Sequence, residues 1–285
     1  MELLSHAVEQ CMDGKGPYGV YEFNKGDDPL IGSELAFDPN AGIFEEIYVR
    51  LAGVPINGLR IRLRRILPKL TGRPGSILDA GCGRGVFVYQ IAKRFPDASV
   101  MGVDVDDEQL EVDRLIAEKA SLRNVTFEHA DVTQLPFKES FDLVLSVDNL
   151  EHIQDDMLAL KGLAESLKVG GRLVLHVPGY ERRWFFFKFR KNFDVPGHFR
   201  PGYRLDEITD KVKGVGLHVK EAFHTYGWLE TISNNISYLI TGAEGKNKIL
   251  YAVVFPFLNV IAWLGRNSLP KKGAGILLIA EKRDH

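Results

Sequence analysis

The sequence predicts an α/β fold built on a doubly wound, mostly parallel sheet, and three observations predict it. The first is Ser76-Ile-Leu-Asp-Ala-Gly-Cys-Gly-Arg-Gly85, a short apolar run that ends in an acid and turns through three glycines. It opens into the apolar-periodic segment Val86 to Phe95, so the order is strand, tight turn, helix, with the helix N-terminus aimed at a ligand. The second is Ala98-Ser-Val-Met-Gly-Val-Asp104, another strand-like run ending in an acid, 23 residues after Gly81. A carboxylate at that distance is where doubly wound nucleotide folds hold a ribose diol. The third is the recurrence of such runs at Val125 to Asp131, Phe141 to Val147 and Gly171 to Val177, with segments between them long enough for helices.

Taken from the start, residues 1 to about 32 hold turn chemistry (Gly14, Gly16, Pro17, Gly19, Gly26, Pro29) and predict a poorly regular arm. Residues 42 to 70 carry helical periodicity through Ile43, Ile47, Leu51, Leu59, Leu63, Ile66 and Leu67. The basic run Arg60, Arg62, Arg64 and Arg65 is expected on a solvated helix face. Beyond the fifth strand, Tyr203 to Val215 predicts a helix, Leu217 to Tyr226 a sixth strand and Gly275 to Glu281 a last strand. Residues 228 to 272 separate those two strands, and so long a connection is not expected to be structureless.

The glycine turn alone is compatible with a nicotinamide dinucleotide. Asp79 argues against it, because a carboxylate there would face a pyrophosphate with like charge. It suits the cationic amino group of S-adenosylmethionine (SAM). With its acid-x-Gly-x-Gly-x-Gly turn, the acids at 104 and 131 and Leu167-Lys-Val-Gly-Gly171, the chain resembles the class I SAM-dependent methyltransferases. The resemblance covers residues 76 to 180. It implies a seven-stranded sheet whose last strand enters antiparallel between the fifth and sixth, with N-terminal helices lying over the cofactor. The expected division is 1–70 (arm and covering helices) and 71–285 (methyltransferase domain), with lid or insertion segments at 180–202 and 228–272; where the resembling family often has a short hairpin between the last two strands, 228–272 is this chain's own elaboration. For the cofactor the resemblance implies Gly81, Gly83 and Gly85 in the turn, Asp79 at the methionine end, Asp104 at the ribose, and Asp131 with the Val132 amide at the adenine. Cys82, Val105 and Ser146 complete the expected cofactor shell.

The acceptor side is expected in the loops after the fourth and fifth strands, outside the carboxyl ends of the sheet. Ser146-Val-Asp-Asn-Leu-Glu-His-Ile153 lacks the Asn-Pro-Pro-aromatic signature of methyltransferases acting on planar nitrogens. It resembles the acid-x-x-Glu-His motif of the ubiquinone-biosynthesis O-methyltransferases, with Asp where that family has Glu. That resemblance implies a divalent metal, magnesium, at Asp148, Glu151 and His152. Two other readings of the same residues stay open: His152 as base or substrate ligand, and a plain helix start. His176, inside a strand, is expected to be a core histidine. Gly197-His-Phe-Arg200 resembles a Gly-His-x-Arg segment of small-molecule methyltransferases and puts His198 near the acceptor, against a loop-anchoring role. The candidate catalytic residues are therefore His152, His198, Asp148 and Glu151.

Apolar content of 45%, charged content of 26% and a net charge of -2 fit a globular protein with no global pull toward nucleic acid. Two cysteines, Cys11 and Cys82, make no disulfide framework. With no basic-then-apolar start, they point to a cytoplasmic setting. Two segments stand apart. Arg182 to Lys191 has five basic and five aromatic residues, and Ile249 to Leu264 is apolar but short for a membrane span. Core packing, a homodimer interface and contact with the inner face of a membrane are the open readings of the second. The sequence thus predicts a SAM-dependent methyltransferase for a small or lipid-like acceptor, most plausibly at oxygen. An RNA methyltransferase and a non-catalytic SAM-binding partner protein are the rivals.

Overall fold

Strand β1 (Ser76–Ala80) lies at the middle of a seven-stranded sheet in a computed structural model that describes residues 28, 30–184, 188–191, 197–241 and 247–284. Beside it run β2 (Ser99–Asp104) and β3 (Val125–His129) on one side, and β4 (Phe141–Val147) and β5 (Leu167–Pro178) on the other, all parallel. The sheet closes with β9 (Gly275–Lys282) and β8 (Leu217–Thr225), in the order β3-β2-β1-β4-β5-β9-β8. β9 is antiparallel to both neighbours, as the resemblance implied. A two-stranded hairpin, β6 (Glu181–Trp184) with β7 (Lys188–Lys191), follows β5. Of the arm expected at 1 to about 32, residues 1–27 and 29 lie outside the described residues, as does the aromatic run 185–187.

The central strands are apolar without a polar face because helices cover the sheet on both sides. Helices α3 (Val86–Arg94) and α4 (Asp107–Lys119) pack on one side, and α5 (Asp156–Ser166) and α6 (Leu205–Gly214) on the other. β9 shows the consequence: Leu277 and Ile279 enter the first core, Ile276, Leu278 and Ala280 the second. Side-chain caps start two helices. Asp106 accepts the Gln109 amide at 3.1 Å at α4, and Asp155 accepts the Leu158 amide at 3.0 Å at α5.

Residues 31 to 70 join the first core through Ile31, Leu35, Val49 and Val54. They form a 3-10 turn (Ser33–Phe37), α1 (Ile43–Ala52) and α2 (Asn57–Ile66). Here the structure corrects the sequence: Arg60, Arg64 and Arg65 are buried, at 1%, 7% and 7% exposure. The cause is the 228–272 segment, which folds into α7 (Trp228–Thr241) and α8 (Lys248–Leu264) and lies on α2. Each guanidinium then needs an internal partner. Arg60 bonds the carbonyls of Val54 and Ala52 and sits 5.2 Å from the Phe255 ring centre. Arg64 meets Asn259, and Arg65 meets both carboxylate oxygens of Glu230, at 2.9 and 2.5 Å. Burial, then the neighbouring Arg64, brings Arg60 down to about 10, still charged at neutral pH.

Candidate active site

The glycine turn between β1 and α3 has three left-handed residues, Gly81 (φ 77°), Gly83 (φ 50°) and Gly85 (φ 65°). Any other residue there is strained. A Cβ on Gly81 would also collide with the Asn149 side chain, and one on Gly85 with Tyr89, whereas the space over Gly83 is open. That opening is where a ligand can approach the backbone. Around it, Asp104 accepts the Gly83 amide at 2.8 Å through one oxygen, and the Val105 and Asp106 amides at 2.8 and 3.2 Å through the other. These bonds fix the carboxylate at the end of β2 and leave lone pairs for a diol. Val105 stands 60% exposed beside it. Asp131 is exposed and held by the Thr133 amide and hydroxyl, both at 2.8 Å, while Val132 is buried. Ser146 is buried and donates its hydroxyl to the Ala80 carbonyl at 3.0 Å.

Asp79 lies beneath the turn at 2% exposure, and its Oδ1 has no hydrogen-bond partner. Burial, with the charges of Asp104 and Asp113 added, pushes it up to about 7. An uncompensated buried carboxyl group is costly, and an incoming cation would relieve it. This unpartnered oxygen and the open cradle over Gly83 fit a ligand with a cationic amino group. Cys82 is no reactive thiolate: burial, then Asp79, drives its thiol up and out of the physiological range.

The loop after β4 carries the second half of the site. Asp148 takes a left-handed conformation (φ 48°), unusual for a non-glycine residue and found where surrounding contacts impose it. Those contacts are Arg62 of α2 on one oxygen and His176 of β5 on the other, at 2.6 Å, with the His176 main-chain carbonyl accepting the Asp148 amide. His176 Nε2 in turn meets the Thr225 hydroxyl at 3.1 Å, so it is the core histidine expected. Burial alone would raise Asp148, but Arg62 and then His176 hold it down at about 2. Sequence reasoning missed Arg62 as a site residue, because the basic run looked solvated. It also missed Asn149, whose amide nitrogen donates to the Ala80 carbonyl at 3.2 Å.

Glu151, His152 and His198 converge, each offering a ligand atom within 4.8 Å of the others. The segment Gly197–Arg200 reaches this loop through several bonds. The Phe199 amide donates to the Glu151 carbonyl at 2.9 Å, Arg200 to the carbonyls of Ile153 and Gln154, and His152 Nδ1 lies 3.1 Å from the Gly197 carbonyl. The His152 and His198 rings meet edge to face at 4.4 Å. His198 Nδ1 and Glu151 Oε2 are buried without partners. Burial, then the Asp148 charge, raises Glu151 well above the carboxylate range, and burial, then His152, lowers His198.

The magnesium set implied by the sequence does not fit. Asp148 spends both oxygens on Arg62 and His176, and Glu151, His152 and His198 group without it. Two imidazoles and one carboxylate suit a transition metal better than magnesium, which prefers oxygen ligands. A cavity of about 380 Å³ opens near this end of the sheet, lined by Tyr226, Trp228, Thr231 and Lys271 among others. The cavity of about 560 Å³ around Met157 and Leu217 lies at the amino ends of the strands, away from these groups.

Residues 73–209 match the family described as "Methyltransferase domain". A 27-O-demethylrifamycin SV methyltransferase of Amycolatopsis mediterranei is 33% identical over 153 residues, covering 52% of each chain. A tRNA U34 carboxymethyltransferase of Desulfotalea psychrophila is 30% identical over 48% of this chain and 43% of its own. A ubiquinone biosynthesis O-methyltransferase of Acinetobacter baumannii is 29% identical over 56% of this chain and 71% of its own. The chain thus spans about half the length of the first two of these relatives. In fold it is similar to a sarcosine dimethylglycine methyltransferase described from Galdieria sulphuraria, with a TM-score of 0.55 at 16% identity over 83% of this chain and 88% of that one. With its sheet order, glycine turn and strand-end acids, the stretch 73–209 is a methyltransferase domain of the class I SAM-dependent family.

Proposed function

We propose that the chain transfers the methyl group of SAM to an oxygen of a small, lipophilic acceptor, with the paired imidazoles His152 and His198 taking the acceptor's proton. The observation that carries this reading is the edge-to-face histidine pair, 4.4 Å apart, which joins His152 of the loop after β4 to His198 of the segment beyond β5. The methyl donor is already an activated sulfonium. The protein therefore has to align nucleophile, methyl and sulfur, and orientation of that kind supplies roughly 7–11 kcal/mol. A hydroxyl also needs a base within reach, and an imidazole whose pKa lies below the operating pH is neutral and ready to accept. In this reading Asp79 receives the amino group of SAM, Asp104 the ribose diol, and Asp131 with the Val132 amide the adenine. Gly81, Gly83 and Gly85 hold the turn open. Arg62, Asp148 and His176 position the acceptor loop.

The test separates the two halves of the site. His152→Ala and His198→Ala should each lower turnover with a hydroxylated aromatic acceptor about 10²-fold or more, the range for loss of a general base. SAM affinity should stay within about threefold, because the acceptor half alone is altered. Unchanged turnover in both variants removes the imidazole base. Turnover abolished by a chelator and restored by a transition metal would replace it with a metal at Glu151, His152 and His198. The tRNA-modifying relative favours a second reading, methylation of RNA. Salt-sensitive RNA binding at micromolar protein, with no transfer to phenols, would establish that instead.

A further inference from the structure

Helix α8 is apolar on both of its faces. Tyr251, Phe255, Leu258 and Ala262 point inward and are buried. On the opposite side Ile249, Val253, Phe257, Val260 and Leu264 form one stripe at helical spacing, exposed at 85%, 64%, 69%, 55% and 60%. No polar residue interrupts it. Helix α1 extends this face: the Tyr48 hydroxyl donates to the Ala252 carbonyl at 2.7 Å, and Phe44 (90%), Ile47 (49%) and Leu51 (76%) share the Tyr48 side of α1. Scattered exposed apolar residues are ordinary, but a continuous face of this kind marks an interaction surface.

The polarity of the insertion is inverted. Its polar groups turn inward, where Glu230 pairs with Arg65, Asn259 with Arg64, Ser233 with Asn57 and Ser237 with Tyr251. An insertion that faced water would place such groups outside. Cations also outnumber acids in it: from 228 to 272 the sequence has five cations and two acids, of which Glu230 is buried against Arg65, while Lys272 pairs with Glu181. Lys248 stands at the start of the stripe. At its far end the Arg266 guanidinium lies 3.9 Å from the Trp263 ring centre, an aromatic-cation pair of the kind found at lipid headgroup depth. A second copy seated on the α8 stripe would bring its cations against cations; the acids of the adjoining α1, Glu45 and Glu46, lie off the Phe44–Leu51 side of that helix, and Glu46 is paired with Arg50. An anionic surface with an apolar interior matches both features. No helix among the described residues is long and apolar enough to cross a membrane, so α8 would lie along the surface.

We propose that the outer face of α8, with the adjoining face of α1, seats the protein on an anionic lipid bilayer. α8 packs on α2, the helix that sends Arg62 to Asp148, so this contact adjoins the acceptor side of the site. The docking stands on the surface alone. Its consequence, delivery of an acceptor from the bilayer, rests on the methyltransferase reading above.

The experiment uses the full chain with vesicles of phosphatidylcholine, with and without 30% phosphatidylglycerol. The wild-type protein should co-sediment with the anionic vesicles, and salt should weaken but not abolish the binding, because the apolar part is not screened. The triple variant Ile249→Ser, Val253→Ser, Phe257→Ser should bind at least tenfold more weakly, with unchanged melting temperature and SAM affinity. A second readout does not depend on that variant folding: in a Trp184→Phe, Trp228→Phe background, Trp263 emission should shift to the blue when anionic vesicles are added. No sedimentation and no shift would overturn the proposal. So would vesicle binding that the triple variant leaves intact, which assigns it to the cations alone. A dimer by light scattering that this variant disrupts, without vesicle binding, would make the face a self-interface. SAM binding is measured separately, so failure of the cofactor reading is distinguishable from failure of the docking.

Discussion

At the scale of single residues, two acids, the buried Asp79 and the half-buried Asp148, are pushed in opposite directions for opposite reasons. Asp79 has burial and like charges around it and rises to about 7; Asp148 has Arg62 and His176 and falls to about 2. Different pH behaviour follows. A cation bound at Asp79 favours its charged form, so SAM binding should release a proton near pH 7, and affinity should drop as pH falls below that value. Titration calorimetry in buffers of different ionisation enthalpy reads the release, and Asp79→Asn should abolish it. Asp148 has a folded value below that of the unfolded chain. Its contribution, on the order of 2 kcal/mol, should be complete above about pH 4 and lost as pH falls through 2. Asp148→Asn should therefore flatten the acid limb of thermal stability between pH 5 and 2. An unchanged limb would remove the Arg62–Asp148–His176 network from the account. The glycines, Asp79 and Asp104 were legible in the sequence because spacing along one strand-turn-helix unit fixes them. Arg62 was not, because its partner lies 86 residues away and only the tertiary fold joins them.

At the scale of elements, the N-terminal helices and the insertion stabilise each other. Periodicity gave the α1 and α2 region correctly, but the four arginines on α2 read as a wet face. Nothing local to residues 57–66 says that α7 and α8 will cover them. The matching signal was distributed: Glu230 is the one charged residue of α7, and Asn259 interrupts the apolar run Ile249 to Leu264. The Arg65–Glu230 pair is the ion pair among these joints, with side-chain exposures of 6% and 0%. Removing one partner of a buried pair strands the other charge and costs about 3–5 kcal/mol. Glu230→Ala should thus lower the melting temperature by about 5–10 °C. A change within 2 °C would mean that the insertion docks without this pair. The position of β9 between β5 and β8 was expected from the family resemblance, and its unbroken apolar run fits a strand buried on both faces. The β6–β7 hairpin was not foreseen as a hairpin, because its aromatic and basic composition gave no clear turn signal.

At the scale of the whole molecule, one end of the sheet carries all the chemistry described. The glycine turn and the acids of β2 and β3 build a ligand cradle. The loops after β4 and β5 build a histidine pair beside it, and α2 ties that pair's loop to the insertion. The fold itself hosts many chemistries, so the sheet alone does not choose the reaction. The choice rests on the ligand that the cradle takes. Titration calorimetry of the full chain with S-adenosylhomocysteine and with NAD, on the native sequence and on Asp104→Ala, measures that choice. The native protein should bind S-adenosylhomocysteine and not NAD, and Asp104→Ala should weaken binding about tenfold or more, as expected for a charge-assisted contact to a ribose diol worth about 1.5–3 kcal/mol. Binding of NAD, or full affinity for S-adenosylhomocysteine in the Asp104→Ala variant, would contradict it.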